Sequence, residues 1–316
     1  MCTTNQSLQS SPDLVKKIDH LKQDRNAVIL AHYYQDPDIQ DLADYLGDSL
    51  QLAQMAAVTD ADVILFCGVR FMAEVVKILN PGKTVLLPDL EAGCSLADDC
   101  PAEAFQDFIE RYPDHEVVVY INSSAEAKAL SDIICTSSNA EQVLASIPED
   151  RPIIFAPDYN FGYYLKKKTG RNMKIWPGSC VVHESFSLPA ILSLKARYPG
   201  AVLLAHPECE EAILQQADHI GSTAAIISAT VTGQARQYLV ATEAGVIHQM
   251  KKLSPAKEFI PVPTKNDHTG ALCPYMRLIT VEKIYRALQD QSPEITIVEE
   301  LRLKALRPIE RMMALG

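Results

Sequence analysis

Basic residues are scarce in this chain. Its 316 residues include 29 Lys and Arg against 40 Asp and Glu, which gives a formal net charge of −11 at pH 7. Nucleic acids and anionic membranes are bound by basic surfaces, so we expect neither as a partner. An anionic substrate would need a local reversal of this charge, supplied by backbone N–H groups, histidines or a bound metal.

Long apolar runs are also missing. No stretch approaches the roughly 20 apolar residues that span a bilayer. The first residues, MCTTNQSLQSSPD, have neither the basic start nor the apolar segment of a secretory signal. We therefore expect a protein of the cytoplasm, where thiols stay reduced.

Several ligand-binding motifs are absent as well. There is no C-x-x-C pair, which argues against a zinc ribbon or a ferredoxin-type run of ligands. There is no P-loop and no G-x-G-x-x-G, so a nucleotide site is not predicted. The chain nevertheless has eight cysteines, and a chain of this length can bury a core without disulfides. The cysteines are therefore interpreted as free thiols or metal ligands.

Short apolar runs alternate with amphipathic segments along the whole chain. The runs predict buried parallel strands, and the amphipathic segments predict helices. Predicted strands lie at 27–31, 63–66, 84–87, 116–121, 132–135, 153–156, 201–205 and 225–228, with weaker ones at 245–248 and 259–262. Predicted helices lie at 12–24, 71–79, 139–146, 208–216 and 298–314. This alternation is typical of parallel α/β proteins.

A faint internal repeat organises the strands. Residues 27–35, 116–124 and 201–209 start 89 and 85 residues apart, and each is an apolar strand that runs into polar residues. A second strand is predicted after each, at VILFCG, DIICTS and AIISAT. Ligands of open α/β sheets bind beyond the carboxyl ends of strands. The polar residues at those ends are His32, Tyr34, Tyr120, Asn122, His206 and Glu208.

Three cysteines share the spacing of this repeat. Cys94, Cys180 and Cys273 lie 86 and 93 residues apart, each in a loop with glycine or proline beside it. We predict that they meet in space and hold an iron–sulfur cluster. Spacing alone also allows them to be small buried residues. Cys94 and Cys100 could instead form a redox pair.

Other candidate residues have two interpretations each. His206 and Glu208 lie on the same side of an extended segment, which suits an acid/base pair, although Glu208 could simply begin a helix. His183 follows Cys180 by three residues and could bind a metal or the substrate. Polar clusters at 47–49, 122–124, 136–139 and 221–223 lie near predicted helix starts. Such residues commonly cap helices, but four of them favour a pocket for several anionic groups.

Eleven strings of the sequence, taken in order, resemble the quinolinate synthase family of bacterial NAD biosynthesis. They are AHYYQ, GDSL, VRFMAE, PDLEAGCSLAD, YINSSAEAKALSD, CTSSNA, FAPDYNFGYYL, WPGSCVVHE, HPEC, GSTAAI and CPYMRLIT, within residues 27–285. The resemblance implies three similar three-layer α/β/α domains with pseudo-threefold symmetry around a central 4Fe–4S cluster. We place the domains at 1–110, joined by C-terminal helices in 285–316, at 111–196 and at 197–284.

The resemblance also implies an activity and a set of roles. The reaction is the condensation of iminoaspartate with dihydroxyacetone phosphate to quinolinate, with loss of phosphate and two waters. Cys94, Cys180 and Cys273 would bind the cluster and leave one iron open to act as a Lewis acid. Glu208, His206, Tyr34 and Tyr120 would be catalytic, with Glu208 as the base. The substrate-binding residues would be His32, Ser49, Asn122, Ser137, His183, Ser222 and Thr223.

Partners and rival functions follow from the same residues. The small-molecule substrates are the main partners, with a transient contact to an oxidase or dehydrogenase that produces iminoaspartate as a further possibility. One rival is a metal-dependent lyase or hydrolase with His32, His206 and Glu208 as ligands. The other is a non-catalytic iron–sulfur redox sensor, which the acidic composition disfavours because a sensor needs a partner-binding surface.

Overall fold

The computed structural model describes residues 11–266 and 269–315. In these ranges the strands form three four-stranded parallel sheets, one after another along the chain. Strands β1–β4 are Ala27–His32, Tyr45–Gly47, Val63–Cys67 and Thr84–Leu86. Strands β5–β8 are Glu116–Tyr120, Ile133–Cys135, Ile153–Ala156 and Met173–Ile175. Strands β9–β12 are Val202–Ala205, His219–Ile220, Gln237–Ala241 and Glu258–Pro261.

The three sheets have the same strand order. Within each sheet the second strand lies at one edge, followed by the first, the third and the fourth. Every ladder is parallel, so the carboxyl ends of all four strands lie at one edge of each sheet. The chain is thus an α/β protein of three similar units, as predicted.

Helices connect the strands and cover the sheets. Helices α1–α15 of the described ranges are Pro12–Asp24, Pro37–Leu42, Ser49–Val58, Arg70–Leu79, Ser95–Asp98, Ala102–Glu110, Ala125–Ala129, Ala140–Ala145, Tyr159–Thr169, Leu188–Arg197, Glu211–Leu214, Thr223–Thr232, Val246–Leu253, Val281–Asp290 and Glu299–Met313. Short 3₁₀ helices lie at His183–Ser185 and Met276–Leu278. None of the helices in the described ranges has the length and apolar character needed to cross a membrane.

The hydrophobic cores show how the units join. The first two sheets share one continuous cluster of buried residues. The third sheet has a separate cluster on each face, with Leu203 and Leu239 on one and Leu204 and Val240 on the other. This alternation shows that both faces of the third sheet are covered. The last helix, α15, packs against α7 and β6 of the second unit as well as α4 of the first, rather than on the first alone.

Most predicted elements are confirmed, and the runs that were predicted as strands but form helices lie in the third unit. The run 225–228 was predicted as a strand but lies inside α12, and 245–248 overlaps α13. Ser222 caps α12 by accepting a hydrogen bond from the Ala225 amide, so the Ile-rich run after it forms a helix. In the structure, the second strands of the three sheets are the short strands β2, β6 and β10. Of the three predicted second strands, DIICTS is correct, VILFCG is the third strand of its sheet, and AIISAT is helical.

Candidate active site

The three predicted cluster cysteines lie in equivalent loops. In each sheet the third residue after the third strand donates its amide to the carbonyl oxygen two residues before the cysteine. These bonds join Arg70 to Ala92 at 2.7 Å, Tyr159 to Gly178 at 2.8 Å and Ala244 to Ala271 at 2.8 Å. The loops before Cys94, Cys180 and Cys273 are therefore tied to the sheets in the same way.

The backbone that follows each of the three cysteines is also hydrogen-bonded in the same way. The carbonyl oxygen of each accepts a hydrogen bond from the amide four residues later, which makes one helical turn. The donors are Asp98 and Glu184 at 3.0 Å and Arg277 at 3.3 Å. Because both flanks repeat, the cysteines occupy one position of a threefold arrangement.

One cavity brings these cysteines together with the other predicted site residues. Its lining contains every residue to which we assigned a role except Ser222. Those residues are His32, Tyr34, Ser49, Cys94, Tyr120, Asn122, Ser137, Cys180, His183, His206, Glu208, Thr223 and Cys273. Ser222 is buried beside the cavity, and its hydroxyl caps α12 instead of facing the cavity.

The three thiols are poorly suited to ionise alone. Burial raises the pKa of Cys94 to about 12 and that of Cys273 to about 11, and burial followed by the charge of Glu208 raises the pKa of Cys180 well above its usual range. Three thiolates at one site would therefore need a cationic group to balance them.

Glu208 is the central acceptor of the cavity. Its Oε1 accepts a hydrogen bond from the Tyr120 hydroxyl at 2.6 Å, and its Oε2 lies 2.7 Å from Nδ1 of His183. Burial opposes ionisation, but His183 and the hydrogen bonds from His183 and Tyr120 hold the pKa of Glu208 below its usual range. The residue is thus a buried carboxylate with two donors directed at it.

His32 and His206 occupy equivalent places at the carboxyl ends of β1 and β9. The ring of each is held by the same backbone hydrogen bond. The amide of the residue two positions later donates to ring Nδ1, at 3.1 Å from Tyr34 to His32 and at 3.4 Å from Glu208 to His206. Nε2 therefore carries the proton of each neutral ring. Burial lowers the pKa of both histidines to about 3, against a smaller opposing effect of Glu208. At neutral pH these rings donate hydrogen bonds but supply no positive charge.

An anionic group in this cavity would be bound without basic side chains. No lysine or arginine is among the described residues that line it. The ten-residue helices α3 and α12 instead begin at its wall, with Ser49 and Thr223 as their first residues. Helix N-termini present free N–H groups to anions. Oδ1 of Asn122 is buried without a partner, so it remains available to a ligand.

Two residues in contact with the predicted site residues escaped the sequence analysis, and both directly follow β11. Thr242 and Glu243 are buried, with 1% and 0% of their surfaces exposed. Glu243 accepts the amide of Cys273 at 3.2 Å and pairs with Arg277 at 2.7 Å. Burial raises the pKa of Glu243 to about 7, and Arg277 opposes that rise. Recognition of 237–241 as a strand would have placed both residues at the sheet edge.

Thr242 belongs to a hydrogen-bond chain between units. Its Oγ1 lies 2.8 Å from the Tyr34 hydroxyl and 3.0 Å from Nε2 of His183. The hydroxyl of Thr223 donates to Tyr34 at 2.8 Å. Burial, followed by the charge of Glu208, raises the pKa of Tyr34 well above its usual range, so its phenol keeps its proton.

Asp48 is a further lining residue that the sequence analysis treated only as part of a capping cluster. Its Oδ1 accepts the amides of Leu50 and Gln51 at the start of α3. Its Oδ2 accepts the hydroxyl of Ser138 from the second unit at 2.6 Å. Asp48 therefore caps a helix and joins two units at the wall of the cavity.

Possible ligands for a single metal ion differ from the predicted set. Among the described residues, the one group of three ligand atoms that all lie within 4.8 Å of one another belongs to Cys180, His183 and Glu208. The predicted set of His32, His206 and Glu208 is therefore wrong as a single-ion site. Cys100 is a buried free thiol outside the cavity lining, whereas Cys94 faces the cavity.

Comparison with known proteins places this site in a family. The family described as "Quinolinate synthetase A protein" matches residues 16–314. The quinolinate synthase of Synechocystis sp. is 59% identical over 304 residues, which cover 96% of each chain. The quinolinate synthase of Gloeothece citriformis is 58% identical, and the match covers 96% of this chain and 94% of that protein. The one of Chloroherpeton thalassium is also 58% identical, and the match covers 97% of this chain and 96% of that protein. The chain therefore belongs to the quinolinate synthetase A family.

Proposed function

We propose that this protein condenses iminoaspartate with dihydroxyacetone phosphate to quinolinate, with release of phosphate and two waters. The atoms balance without an oxidant or reductant. The observation that carries the proposal is the single cavity in which polar side chains from the carboxyl ends of all three sheets meet three equivalent cysteines. Membership of the quinolinate synthetase A family agrees with it.

The cysteines fit a polynuclear cluster better than a single ion. Four ligands around one zinc at about 2.3 Å would bring the sulfurs within about 4.6 Å of one another. Among the described residues the three cysteine sulfurs do not form such a group. We propose that Cys94, Cys180 and Cys273 each bind one iron of a 4Fe–4S cluster, which leaves the fourth iron without a protein ligand. Bound there, the cluster would supply a Lewis acid for the two dehydrations.

Glu208 is the proposed base. It is ionised at neutral pH and fixed by Tyr120 and His183, so a substrate proton can reach a carboxylate already in place. Tyr120, whose pKa is raised well above the usual range by burial and then by Glu208, keeps its proton and can donate it. His206, with Nε2 3.3 Å from the Ser137 hydroxyl, is placed to pass protons between Glu208 and the ligand.

The anionic groups of the two substrates would be bound by dipoles. Ser49 and Thr223 lie at the N-termini of α3 and α12, and Ser137 adds a hydroxyl donor. Oδ1 of Asn122 would instead accept a hydrogen bond from a substrate hydroxyl or nitrogen. His32 would contribute its Nε2 proton. Charge reversal in an acidic protein would then depend on N–H groups, hydroxyls and the cluster, and not on lysine or arginine. We also propose transient contact with an enzyme that forms the iminoaspartate, since free imines hydrolyse in water.

An anaerobic assay tests this function. Protein purified without oxygen is mixed with iminoaspartate and dihydroxyacetone phosphate, and quinolinate and phosphate are measured together. We expect equal amounts of the two products from protein that contains about four iron and four sulfide per chain. A protein with full iron and sulfide that forms no quinolinate would refute the proposal.

A second function is favoured by one observation, the close group of Cys180, His183 and Glu208. These three ligands and an open position would suit a mononuclear zinc or iron lyase or hydrolase. Elemental analysis separates the two functions. One zinc per chain without sulfide would support the mononuclear site, whereas sulfide equal to iron would support the cluster.

A further inference from the structure

We infer that Thr242 is a positioning residue that holds Tyr34 and the His183–Glu208 pair in one continuous hydrogen-bond chain. The inference rests on the proposed function, because it assigns a role within that site. It concerns a residue outside the cavity lining, whose side chain is 1% exposed and reaches the lining only through its two partners.

The fold itself does not require a hydroxyl at this place. The loop hydrogen bonds from Arg70, Tyr159 and Ala244 make Gly68, Pro157 and Thr242 the equivalent residues after the three third strands. Glycine and proline have no side-chain donor or acceptor. Two of the three units therefore make the same turn without the group that Thr242 supplies, so the hydroxyl serves something other than the turn.

The contacts of Thr242 join different units. Tyr34 follows β1 of the first sheet, and its hydroxyl lies 2.8 Å from Thr242 Oγ1. His183 follows the Cys180 loop of the second sheet, and its Nε2 lies 3.0 Å away on the other side. One hydroxyl of the third unit thus fixes side chains of the first and second units.

The chain of contacts continues on both sides of Thr242. On one side, the hydroxyl of Thr223 donates to Tyr34 at 2.8 Å. On the other side, Nδ1 of His183 lies 2.7 Å from Oε2 of Glu208 and 3.3 Å from Sγ of Cys180. Thr242 is therefore the link between Thr223 and Tyr34 and the His183–Glu208 pair.

This place in the chain of contacts defines what Thr242 does. Its hydroxyl holds the phenol of Tyr34 and the ring of His183, and through His183 it supports the position of Glu208. Buried groups that lose a partner must reorient or remain unsatisfied. Loss of the hydroxyl would therefore disturb Tyr34 and the His183–Glu208 pair at once.

The test compares three variants in the anaerobic assay. Thr242→Val removes the hydroxyl and keeps the shape, and Thr242→Ser keeps the hydroxyl. Thr230→Val is the matched control, since Thr230 is fully buried in α12 and donates to the Ile227 carbonyl at 2.7 Å, away from the cavity. Each protein is measured for kcat, KM of both substrates, iron and sulfide content, and thermal unfolding.

We expect Thr242→Val to lower kcat about 10- to 100-fold, with KM changed less than about threefold and the cluster retained. Thr242→Ser should recover kcat to within about threefold of the starting protein. Thr230→Val should lower the unfolding temperature at least as much as Thr242→Val, with kcat unchanged.

Two results would overturn the inference. One is a Thr242→Val protein with full kcat, and the other is a loss of kcat that Thr242→Ser does not recover. If the unsubstituted protein with a full cluster forms no quinolinate, the proposed function fails instead. In that case Thr242 is tested through thermal unfolding of Tyr34→Phe, Thr242→Val and the double variant. Additive effects of the two substitutions would contradict the hydrogen-bond chain.

Discussion

The first and third sheets end their first strands with the same backbone device and with different chemistry. At the end of β1, His32 accepts the amide of Tyr34, and directly after β9, His206 accepts the amide of Glu208. The histidine is the same in both units, while the residue two positions later is a tyrosine in one and a glutamate in the other. The repeat thus gives equivalent positions around one cavity, and the different residues at those positions give it a phenol from the first unit and a carboxylate from the third.

The cysteine loops extend this comparison to all three units. Here the side chain as well as the backbone is repeated, at Cys94, Cys180 and Cys273. A shared centre on a threefold axis needs the same ligand from each unit, whereas a reaction needs unlike groups. The site therefore has a symmetric half, which would bind the proposed cluster, and an asymmetric half, which would act on the substrates.

The largest expected effect comes from breaking the symmetric half. Cys94→Ala, Cys180→Ala and Cys273→Ala should each abolish activity, because two thiolates cannot hold the cluster in its place. Cys67→Ala and Cys135→Ala are the controls, since both are buried thiols at strand ends outside the cavity. The controls should keep iron, sulfide and activity within about twofold. A single loop variant with full iron and sulfide would show that the three loops are not equivalent.

The asymmetric half should show unequal losses at its two equivalent positions. Glu208→Gln should lower kcat about 10²- to 10⁴-fold, because a carboxamide accepts no proton. Tyr34→Phe should lower it less, about 10- to 100-fold, since Tyr34 acts as a donor within a chain of hydroxyls. Steady-state kinetics with matched iron content measures both. Equal losses in the two variants would mean that the two units do not divide acid and base roles.

The sequence predicted the polar residues at the end of the first strand of a sheet better than those after the third strand. Runs such as 27–31 and 201–205 are apolar without interruption, so the polar residues after them could be placed at the sheet edge. The run at 237–241 was not recognised as a strand, and Thr242 and Glu243 were missed with it. The edge strands β2, β8 and β10 have only two or three residues, too few to show a period.

The error at 225–228 has a physical cause as well. Its Ile-rich residues suit a strand or a buried helix equally, and length alone separates the two. Ser222 was assigned to substrate binding. It accepts the amide of Ala225 as the cap of α12, and its role toward the substrates stays a prediction. The close approach of His183 to Glu208 could not be predicted from any spacing, because it joins segments from two units.

The two equivalent histidines should make the protein sensitive to acid. Burial lowers the pKa of His32 and His206 to about 3, below the value of about 6.5 in an unfolded chain. Between these values the unfolded chain binds more protons, so stability present above pH 6.5 is lost as the pH falls. At pH 5.5 each histidine should cost about 1.4 kcal/mol of unfolding free energy.

Anaerobic urea unfolding at pH 7.5 and 5.5 measures this cost. His32→Asn and His206→Asn should each remove about 1.4 kcal/mol of the difference between the two pH values, and the double variant about twice that. The equality of the two single variants is what the shared backbone device predicts. A pH dependence that only one of them reduces would show that the two histidines differ in environment.

The smallest effect is expected where the units meet at the surface. Lys167 of α9 pairs with Glu211 of α11 between the second and third units, with side chains 56% and 38% exposed. Exposed ion pairs contribute little to stability, so Glu211→Gln should leave the urea midpoint of unfolding nearly unchanged. Glu141→Gln is the control, because Lys168 and Glu141 form a similar pair within the second unit.

If Glu211→Gln lowered kcat while Glu141→Gln did not, the surface pair would help to align the units. Unchanged kcat in both would leave that alignment to the buried contacts of Thr242 and Asp48.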